Sequence, residues 1–239
     1  MKIVSFKICP FVQRVTVLLE RKGVPYDVEY IDLGNKPRWF LEASPHGQVP
    51  ILLTDDGEVL FESDAIVEYV DEVVGQPVFS RDPVKKARER AWSYLASKHY
   101  LVQCSALRSG DRAALAERSH NLDTALAKIQ TQLGDAPFIG SGGMGMVDIA
   151  WTTLLHRMEI VERLSGHDFL ADFPRVKAWR DAVMATGIPD ASVAEDFEDR
   201  FSAFYLADTT YLGQLALEKN GLSCVDECGS AAQDMGCCA

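Results

Sequence analysis

The first third of the chain alternates between strand-like and helix-like apolar patterns. The predicted strands are residues 2–6, 26–31, 49–53 and 58–61, and the predicted helices are residues 10–22, 35–41 and a segment that opens at residue 62. The helix at 10–22 has Pro10 at its start and Gly23 just beyond its end, which are the residues favoured at those two positions. An Asp-Gly pair at Asp56 and Gly57 predicts a hairpin between the last two strands. The first strand–helix–strand unit is expected to be parallel with a right-handed crossover.

Beyond a proline-containing break the pattern becomes helical throughout. The predicted helices are residues 85–107, 112–133, 146–164, 173–186 and 197–206. The inner face of the first of them is expected at Ala91, Tyr94, Leu95, Lys98 and Leu101 or Val102. The sequence therefore predicts an α/β domain over residues 1–76, a linker at 77–84, an all-α domain at 85–219 and a cysteine-rich tail at 220–239. The order β-α-β-α-β-β-α of the first domain, with Cys9 before its first helix, resembles the thioredoxin superfamily.

Composition and charge narrow the class of protein. The chain has 239 residues and a formal net charge of −11. Such an acidic chain is a poor partner for nucleic acid or for an anionic membrane surface. Its N-terminus begins as a strand, without the apolar run and cleavage site of a signal peptide. A cytoplasmic location with reduced thiols is the expectation.

Cys9 is the candidate for chemistry. It lies directly before Pro10, so its thiol is expected at the N-terminus of the first helix, where free N–H groups favour a thiolate. Cysteines in such positions have pKa values of about 3.5–7.5. The alternative is a buried cysteine that merely precedes a helix.

Four motifs carry a family resemblance. The segments 9–14 (Cys-Pro-Phe-Val-Gln-Arg), 35–40 (Asn-Lys-Pro-Arg-Trp-Phe), 48–50 (Gln-Val-Pro) and 62–63 (Glu-Ser) follow one another in order. With these motifs the chain resembles the cytosolic glutathione transferases, and most of all their omega-like, cysteine-dependent class, over roughly residues 1–215. The resemblance implies the glutathione transferase fold, glutathione as co-substrate and a homodimer.

The resemblance also implies roles for single residues. Phe11 belongs to the active-site motif, and Lys36 is placed to meet the glycyl carboxylate of glutathione. Val49, before a cis Pro50, offers backbone N–H and C=O groups to the cysteinyl part. Glu62 suits the ammonium and Ser63 the carboxylate of the γ-glutamyl part.

Each of these assignments has a plainer alternative. Lys36 would then be a solvated surface charge, Ser63 with Asp64 would only cap a helix, and Pro50 would be purely structural.

The presence of a cysteine at position 9 indicates the type of reaction. A cysteine thiolate attacks sulfur and forms a mixed disulfide with glutathione, which a second glutathione resolves. Val12 stands where a dithiol enzyme has its second cysteine, so a monothiol thioltransferase or reductase acting on a small disulfide or electrophilic substrate is expected, by resemblance akin to dehydroascorbate reductases.

Several alternatives remain open. They are glutathione conjugation, a glutathione-dependent isomerase or dehalogenase, a non-catalytic glutathione-fold binding module, and a protein that resembles the chloride intracellular channels.

The helical domain is expected to supply a second-substrate pocket. The candidates are Trp92, Tyr94, Tyr100, Cys104, Trp151 and Leu155, although helical aromatic residues more often belong to a core. Asp148 is interpreted as structural, since the segment 145–148 resembles an N-terminal capping box with glycine as the cap.

The tail departs from the family pattern. It carries Cys224, Cys228, Cys237 and Cys238. Their spacing is not that of a zinc site, but adjacent thiols suit soft ions such as copper(I) or arsenite. The alternative is a tail whose thiols are free or paired in disulfides.

Overall fold

The computed structural model describes residues 1–140 and 142–221. In its first domain a four-stranded sheet has the order β2-β1-β3-β4. The strands are β1 (Lys2–Ser5), β2 (Asp27–Tyr30), β3 (Ile51–Leu53) and β4 (Val59–Phe61), and the helices are α1 (Pro10–Lys22), α2 (Arg38–Ala43) and α3 (Ser63–Val73). Strand β1 pairs parallel with β2 and antiparallel with β3, so Val4 lies between Glu29 and Ile51. The predicted parallel unit and hairpin are both confirmed.

The described residues of the second domain form helices and connecting loops, with no strand among them. Its helices are α4 (Pro83–Leu107), α5 (Arg112–Gln130), α6 (Met146–Ser165), α7 (Pro174–Met184), α8 (Ile188–Ala191), α9 (Phe197–Tyr205) and α10 (Tyr211–Lys219). The sequence analysis missed α8, which is only one turn long, and α10, which contains a glycine in a close contact. Helix α4 begins at Pro83, within the predicted linker, because Asp82 caps it by accepting the N–H of Lys85 at 2.8 Å.

The predicted inner face of α4 is wrong. The buried residues are Ser93, Ala96, Tyr100, Gln103, Ala106 and Leu107, whereas Ala91, Lys98 and Leu101 are exposed. Small and polar residues face α6 because α4 packs closely against it and donates hydrogen bonds to its backbone. Tyr100 Oη donates to the carbonyl of Ala150 at 2.5 Å, and Gln103 Nε2 to that of Leu154 at 3.0 Å. Hydropathy alone does not reveal such a face.

Asp148 has a structural role. Its buried carboxylate accepts the N–H groups of Ile139 at 3.0 Å and Gly145 at 2.8 Å. It also accepts the indole N–H of Trp179 at 2.7 Å. Asp148 thus fixes the start of α6, the central helix of this domain.

The soft-metal hypothesis for Cys224, Cys228, Cys237 and Cys238 lies outside the described residues. Within the described ranges, none of the helices has the length and apolar character needed to cross a bilayer.

Candidate active site

Cys9 stands at the junction of the two domains. It is the N-cap residue of α1, and its N–H donates to the carbonyl of Phe6 at 3.1 Å. The nearby backbone N–H groups of Phe11 and Val12 lower the pKa of the thiol, although the sulfur accepts no capping hydrogen bond from the helix. The thiol therefore lies at the helix N-terminus, as the sequence predicts, but it is almost fully buried, with 5% of the residue exposed.

The protonation state of Cys9 differs from the expectation. Burial raises the pKa of its thiol to about 11, although the two backbone N–H groups and the positive charge of Arg157 act in the opposite direction. Loss of hydration therefore outweighs the helix N-terminus, because a thiolate is penalised wherever water is excluded. The predicted low pKa is wrong for the protein without bound glutathione.

A buried cation lies next to this thiol. Arg157 of α6 is fully buried, and its guanidinium donates to the side-chain oxygen of Gln13, to the carbonyl of Thr153 at 2.9 Å and to the carbonyl of Ile8 at 3.3 Å. It forms no ion pair within the described part of the chain. Burial lowers the pKa of Arg157, which shows that its charge is held at an energetic cost.

The sequence analysis did not identify Arg157. A buried arginine far along the chain has no local signal, and only the fold brings α6 beneath the loop that ends at Cys9.

A small pocket of about 90 Å³ collects most of the predicted glutathione-binding residues. It is lined by Phe11, Val49, Pro50, Glu62 and Ser63, together with Ser44, His46, Gln48 and Phe61. Three of the four sequence motifs therefore meet in this pocket, at the start of α1, in the loop before β3 and at the start of α3. Ser44 and Phe61 were missed, since each is an ordinary loop or strand residue in sequence.

The loop before β3 presents an unpaired segment of backbone. The Val49–Pro50 peptide bond is cis, as predicted. Ser44 Oγ holds the loop by donating to the carbonyl of Gln48 and accepting its N–H, both at 3.0 Å. The N–H and C=O groups of Val49 have no hydrogen-bond partner in residues 1–140 and 142–221. They are available to an extended peptide.

The turn into α3 is backbone-strained. Glu62 is the N-cap of α3 and has φ +67°, and it is the one non-glycine residue with positive φ in the described chain. Ser63 begins the helix and is buried. The carboxylate of Asp64 pairs with the buried guanidinium of Arg14, which ties the start of α3 to α1. Such strain is retained where the geometry of a site requires it.

Lys36 lies beside the pocket rather than in its lining. Its ammonium donates to the carbonyl of Gly47 at 2.8 Å and is half-buried. Gly47 belongs to the same loop as Val49, so the charge of Lys36 is held at one end of the pocket.

A large cleft of about 1200 Å³ has the residues just before Cys9 in its lining, whereas Cys9 itself lines neither this cleft nor the small pocket. It is lined by Phe6, Lys7, Ile8, Tyr30, Ile31, Asp32, Leu33, Cys104, Ser105, Arg108, Arg118, Arg200, Ala203, Phe204 and Tyr205. Of the predicted second-substrate residues Trp92, Tyr100, Cys104 and Trp151, only Cys104 lines it.

Three of the other predicted residues, Tyr100, Trp151 and Leu155, belong to the interior, whereas Trp92 and Tyr94 are half-buried and do not line the cleft. Trp151 is fully buried, and its indole N–H donates to the carbonyl of Trp92 at 3.1 Å. Tyr100 is also fully buried and packs edge-to-face on Phe11, with ring centroids 5.4 Å apart. Tyr100 therefore packs against the active-site loop from the protein interior and does not line the cleft.

The fold and the site together define a class of protein. A thioredoxin-like domain with a cysteine at its first helix N-terminus, a cis-proline loop and a following helical domain is the architecture of glutathione-dependent transferases. Comparison with known proteins agrees: the family model described as "Glutathione S-transferase, N-terminal domain" matches residues 8–73, and the one described as "Glutathione S-transferase, C-terminal domain" matches residues 112–182.

Individual relatives extend the match over most of the chain. Glutathione S-transferase omega-1 of Mus musculus is 32% identical over 184 residues, which are 76% of this chain and 75% of the relative. A probable cytosolic glutathione S-transferase DHAR1 of Oryza sativa subsp. japonica is 30% identical over 74% of this chain and 80% of its own. The tau-class glutathione S-transferase of Mangifera indica superposes with a TM-score of 0.72 at 26% identity, over 85% of this chain and 97% of that one.

The chain belongs to the glutathione S-transferase family, and within it to the omega-like relatives. It is a glutathione-dependent enzyme of the transferase and reductase kind.

Proposed function

We propose that the protein is a glutathione-dependent thiol transferase in which Cys9 forms a mixed disulfide with glutathione. The observation that carries the proposal is the position of Cys9. Its thiol lies at the N-terminus of α1, and in the chain Cys9 stands between Ile8, which lines the large cleft, and Phe11, which lines the small pocket. This position supports a nucleophile that reacts with glutathione bound in the small pocket and with a second substrate bound in the cleft.

The small pocket supports glutathione binding by its chemistry. Val49 offers one N–H and one C=O group that are unpaired in the described chain, as a strand edge does to a peptide. The N-terminus of α3 at Ser63 suits the γ-glutamyl carboxylate, and Glu62 suits the ammonium. Lys36 supplies a positive charge for the glycyl carboxylate.

The chemical step is a pair of thiol–disulfide exchanges. The Cys9 thiolate attacks the glutathione sulfur of a mixed disulfide between glutathione and a small thiol. A Cys9–glutathione disulfide forms, the original disulfide bond breaks, and the small thiol leaves as a thiolate that takes up a proton. A second glutathione thiolate attacks the glutathione sulfur on Cys9, which releases oxidised glutathione and regenerates the Cys9 thiolate.

The buried guanidinium of Arg157 supports this step. The Cys9 thiolate has to exist, if briefly, in surroundings that penalise charge, and a nearby cation without an ion-pair partner in the described chain offsets part of that penalty. We assign Arg157 the role of a positioning residue that stabilises the reactive form of Cys9.

Replacing Cys9 tests the proposal. Glutathione-dependent reduction of a small mixed disulfide should fall by at least about a thousandfold in Cys9→Ser, because a serine hydroxyl does not exchange with disulfides. Cys104→Ser is the comparison variant: Cys104 lines the cleft, so its replacement is expected to act on the KM for the small disulfide, whereas turnover through Cys9 should continue.

The outcome also separates the alternatives. A Cys9→Ser variant that keeps its activity would contradict the proposal and favour glutathione conjugation through another group. A parent protein that binds glutathione but reduces no disulfide would favour a binding module.

The homodimer and the cytoplasmic location belong to the same proposal. Large apolar side chains are exposed on the first domain at Trp39, Leu41 and Phe61, which supports a subunit contact there. Sedimentation equilibrium at micromolar concentration should give twice the mass of the chain, and a monomer would contradict the dimer.

A further inference from the structure

The large cleft has a charge opposite to that of the molecule. The chain has a net charge of −11, yet the lining of the cleft holds four cations (Lys7, Arg108, Arg118 and Arg200) and a single acidic residue, Asp32. In an acidic protein such a concentration of cations requires an explanation, because a net negative charge on average repels anions from the surface.

The four cations come from four different parts of the fold. Lys7 is in the loop between β1 and α1, Arg108 follows the end of α4, Arg118 is in α5 and Arg200 is in α9. A solvated face of one helix does not produce this convergence. The tertiary structure brings the charges together from both domains.

Two of these cations share one counter-ion. Asp196 accepts from Lys7 Nζ at 2.7 Å and from Arg200 Nε at 2.6 Å. These two hydrogen bonds lower the pKa of Asp196 to about 2, so it stays ionised at neutral pH. Lys7 and Arg200 thus each have an ion-pair partner within the protein, although one carboxylate balances only one of their two charges.

Arg108 and Arg118 have none. Neither guanidinium forms an ion pair with any of the described residues, and both side chains are exposed to the cleft. Arg108 instead lies over the ring of Phe204, 5.1 Å from its centroid, and Arg118 donates to the carbonyl of Ser105 at 3.2 Å. These contacts leave the other N–H donors of the two guanidinium groups without a hydrogen-bond partner among the described residues.

The same cleft exposes apolar surface. Tyr30 is 40% exposed, Leu33 42% and Phe204 48%, which are large values for such side chains. A cleft that pairs exposed aromatic and aliphatic surface with unpaired guanidinium groups matches a ligand with an apolar body and an anionic end.

We propose that the cleft binds a small organic anion, with an aromatic or aliphatic body and a carboxylate or similar group, as the second substrate. Arg108 and Arg118 hold the anionic group, Phe204 and Tyr30 hold the body, and the reacting end points towards Cys9 and Cys104. This inference rests on the proposed function, because it assigns the substrate class of the same site.

Binding of two matched glutathione conjugates tests the inference without any reaction. The probes are the thioether S-(para-carboxybenzyl)glutathione and its carboxamide, which differ only in the charge of the end group. Calorimetry should show the carboxylate binding about tenfold more tightly than the amide, the gain of one charge-assisted contact. The preference should shrink as salt is added.

Arginine substitutions test which residues cause the preference for the carboxylate conjugate. In the double variant Arg108→Gln, Arg118→Gln the two conjugates should bind with equal affinity. The matched control is Arg81→Gln, Arg88→Gln, which removes two exposed arginines outside the cleft and changes the net charge equally. It should keep the tenfold preference.

Each result bears on one proposal. Equal affinities in the parent would overturn the anion site, whether or not Cys9 proves to be the nucleophile. Loss of the preference in the control as well would also overturn it, because the cause would then be net charge. A parent that prefers the carboxylate but reduces no disulfide would keep the anion site and overturn the mixed-disulfide mechanism.

Discussion

At the scale of single residues, Cys9 shows two opposing effects on one thiol. The helix N-terminus and Arg157 favour the thiolate, while burial favours the neutral form and prevails. The consequence is a reactive group that is mostly protonated at neutral pH in the protein without ligand. The fraction of reactive thiolate then depends on the hydration and the charge around the sulfur.

The pH dependence of Cys9 alkylation follows from this balance. Burial raises the pKa of Cys9 to about 11, so the thiolate fraction should rise about tenfold per pH unit from about pH 7 to about pH 9. Iodoacetamide labelling of the Cys9 peptide, followed by mass spectrometry without glutathione, measures this directly. Arg157→Gln should label more slowly than Arg157→Lys at each pH, since only lysine retains the charge. A labelling rate that is already level at about pH 7 would contradict the prediction.

Glu62 shows a conflict between stability and function. Its backbone has φ +67°, which an L-residue adopts at a cost of about 1–3 kcal/mol and glycine at almost none. Glu62→Gly relieves this strain, but glycine also raises the entropy of the unfolded chain, which opposes the gain. The melting temperature should therefore stay equal or rise slightly.

The same variant should bind glutathione at least about tenfold more weakly, because the carboxylate that meets the ammonium is lost. Glu62→Gln is the control: it keeps the side-chain size and the strain, so it should weaken binding without raising stability. Unchanged glutathione affinity in both variants would remove Glu62 from the site.

At the scale of elements, the sequence determines the first domain more clearly than the second. The predicted limits of α1 coincide with the observed Pro10–Lys22, because proline and glycine mark both ends. The predicted inner face of α4 is wrong, because polar residues such as Ser93 and Gln103 are buried against α6, where they donate hydrogen bonds to its backbone.

The candidate active site shows the same difference between local sequence motifs and contacts of distant elements. Phe11, Val49, Glu62 and Ser63 could be assigned because each lies in a local motif. The Arg157 contact and the cationic cleft could not, because they exist only after distant elements have packed together.

The junction of α1, α3 and the segment after α3 depends on one buried ion pair. Lys22 Nζ lies 3.0 Å from Asp71 Oδ1, and their side chains are 4% and 2% exposed. Lys22 also donates to the carbonyls of Val74 at 2.6 Å and Gln76 at 2.9 Å, while Asp71 accepts the N–H of Val78 at 2.7 Å. The pair fixes the start of the linker to the end of α1.

Removing the cation should therefore be costly. Lys22→Met leaves the buried carboxylate of Asp71 without its counter-ion and should reduce the free energy of unfolding by about 3–5 kcal/mol. Lys2→Met is the matched control, because Lys2 pairs with Glu29 at the surface, where such a pair contributes at most about 1 kcal/mol. Urea titration measures both, and equal losses in the two variants would contradict the role of the buried pair.

At the scale of the whole molecule, a buried polar network joins the two domains. Gln13 of α1 accepts from Arg157 through its side-chain oxygen, and its Nε2 donates to His156 Nδ1 at 2.8 Å. Thr16 Oγ1 donates to the carbonyl of Ser192 at 2.7 Å. The helix that positions Cys9 is thus hydrogen-bonded to α6 and to the end of α8, so the first domain is not expected to unfold alone.

Cooperative unfolding follows from that network. The calorimetric and van't Hoff enthalpies should agree, as for a single two-state unit, even though the chain has two domains. Gln13→Leu keeps the volume but leaves the buried guanidinium of Arg157 without one partner, so it should lower the stability of the whole molecule by about 3 kcal/mol in a single transition. Gln132→Leu, at an exposed position, should change it by less than about 0.5 kcal/mol. Two resolved transitions in the parent, or a Gln13→Leu variant that loses only one of them, would show that the domains are stable independently and that the site at their junction is held by the first domain alone.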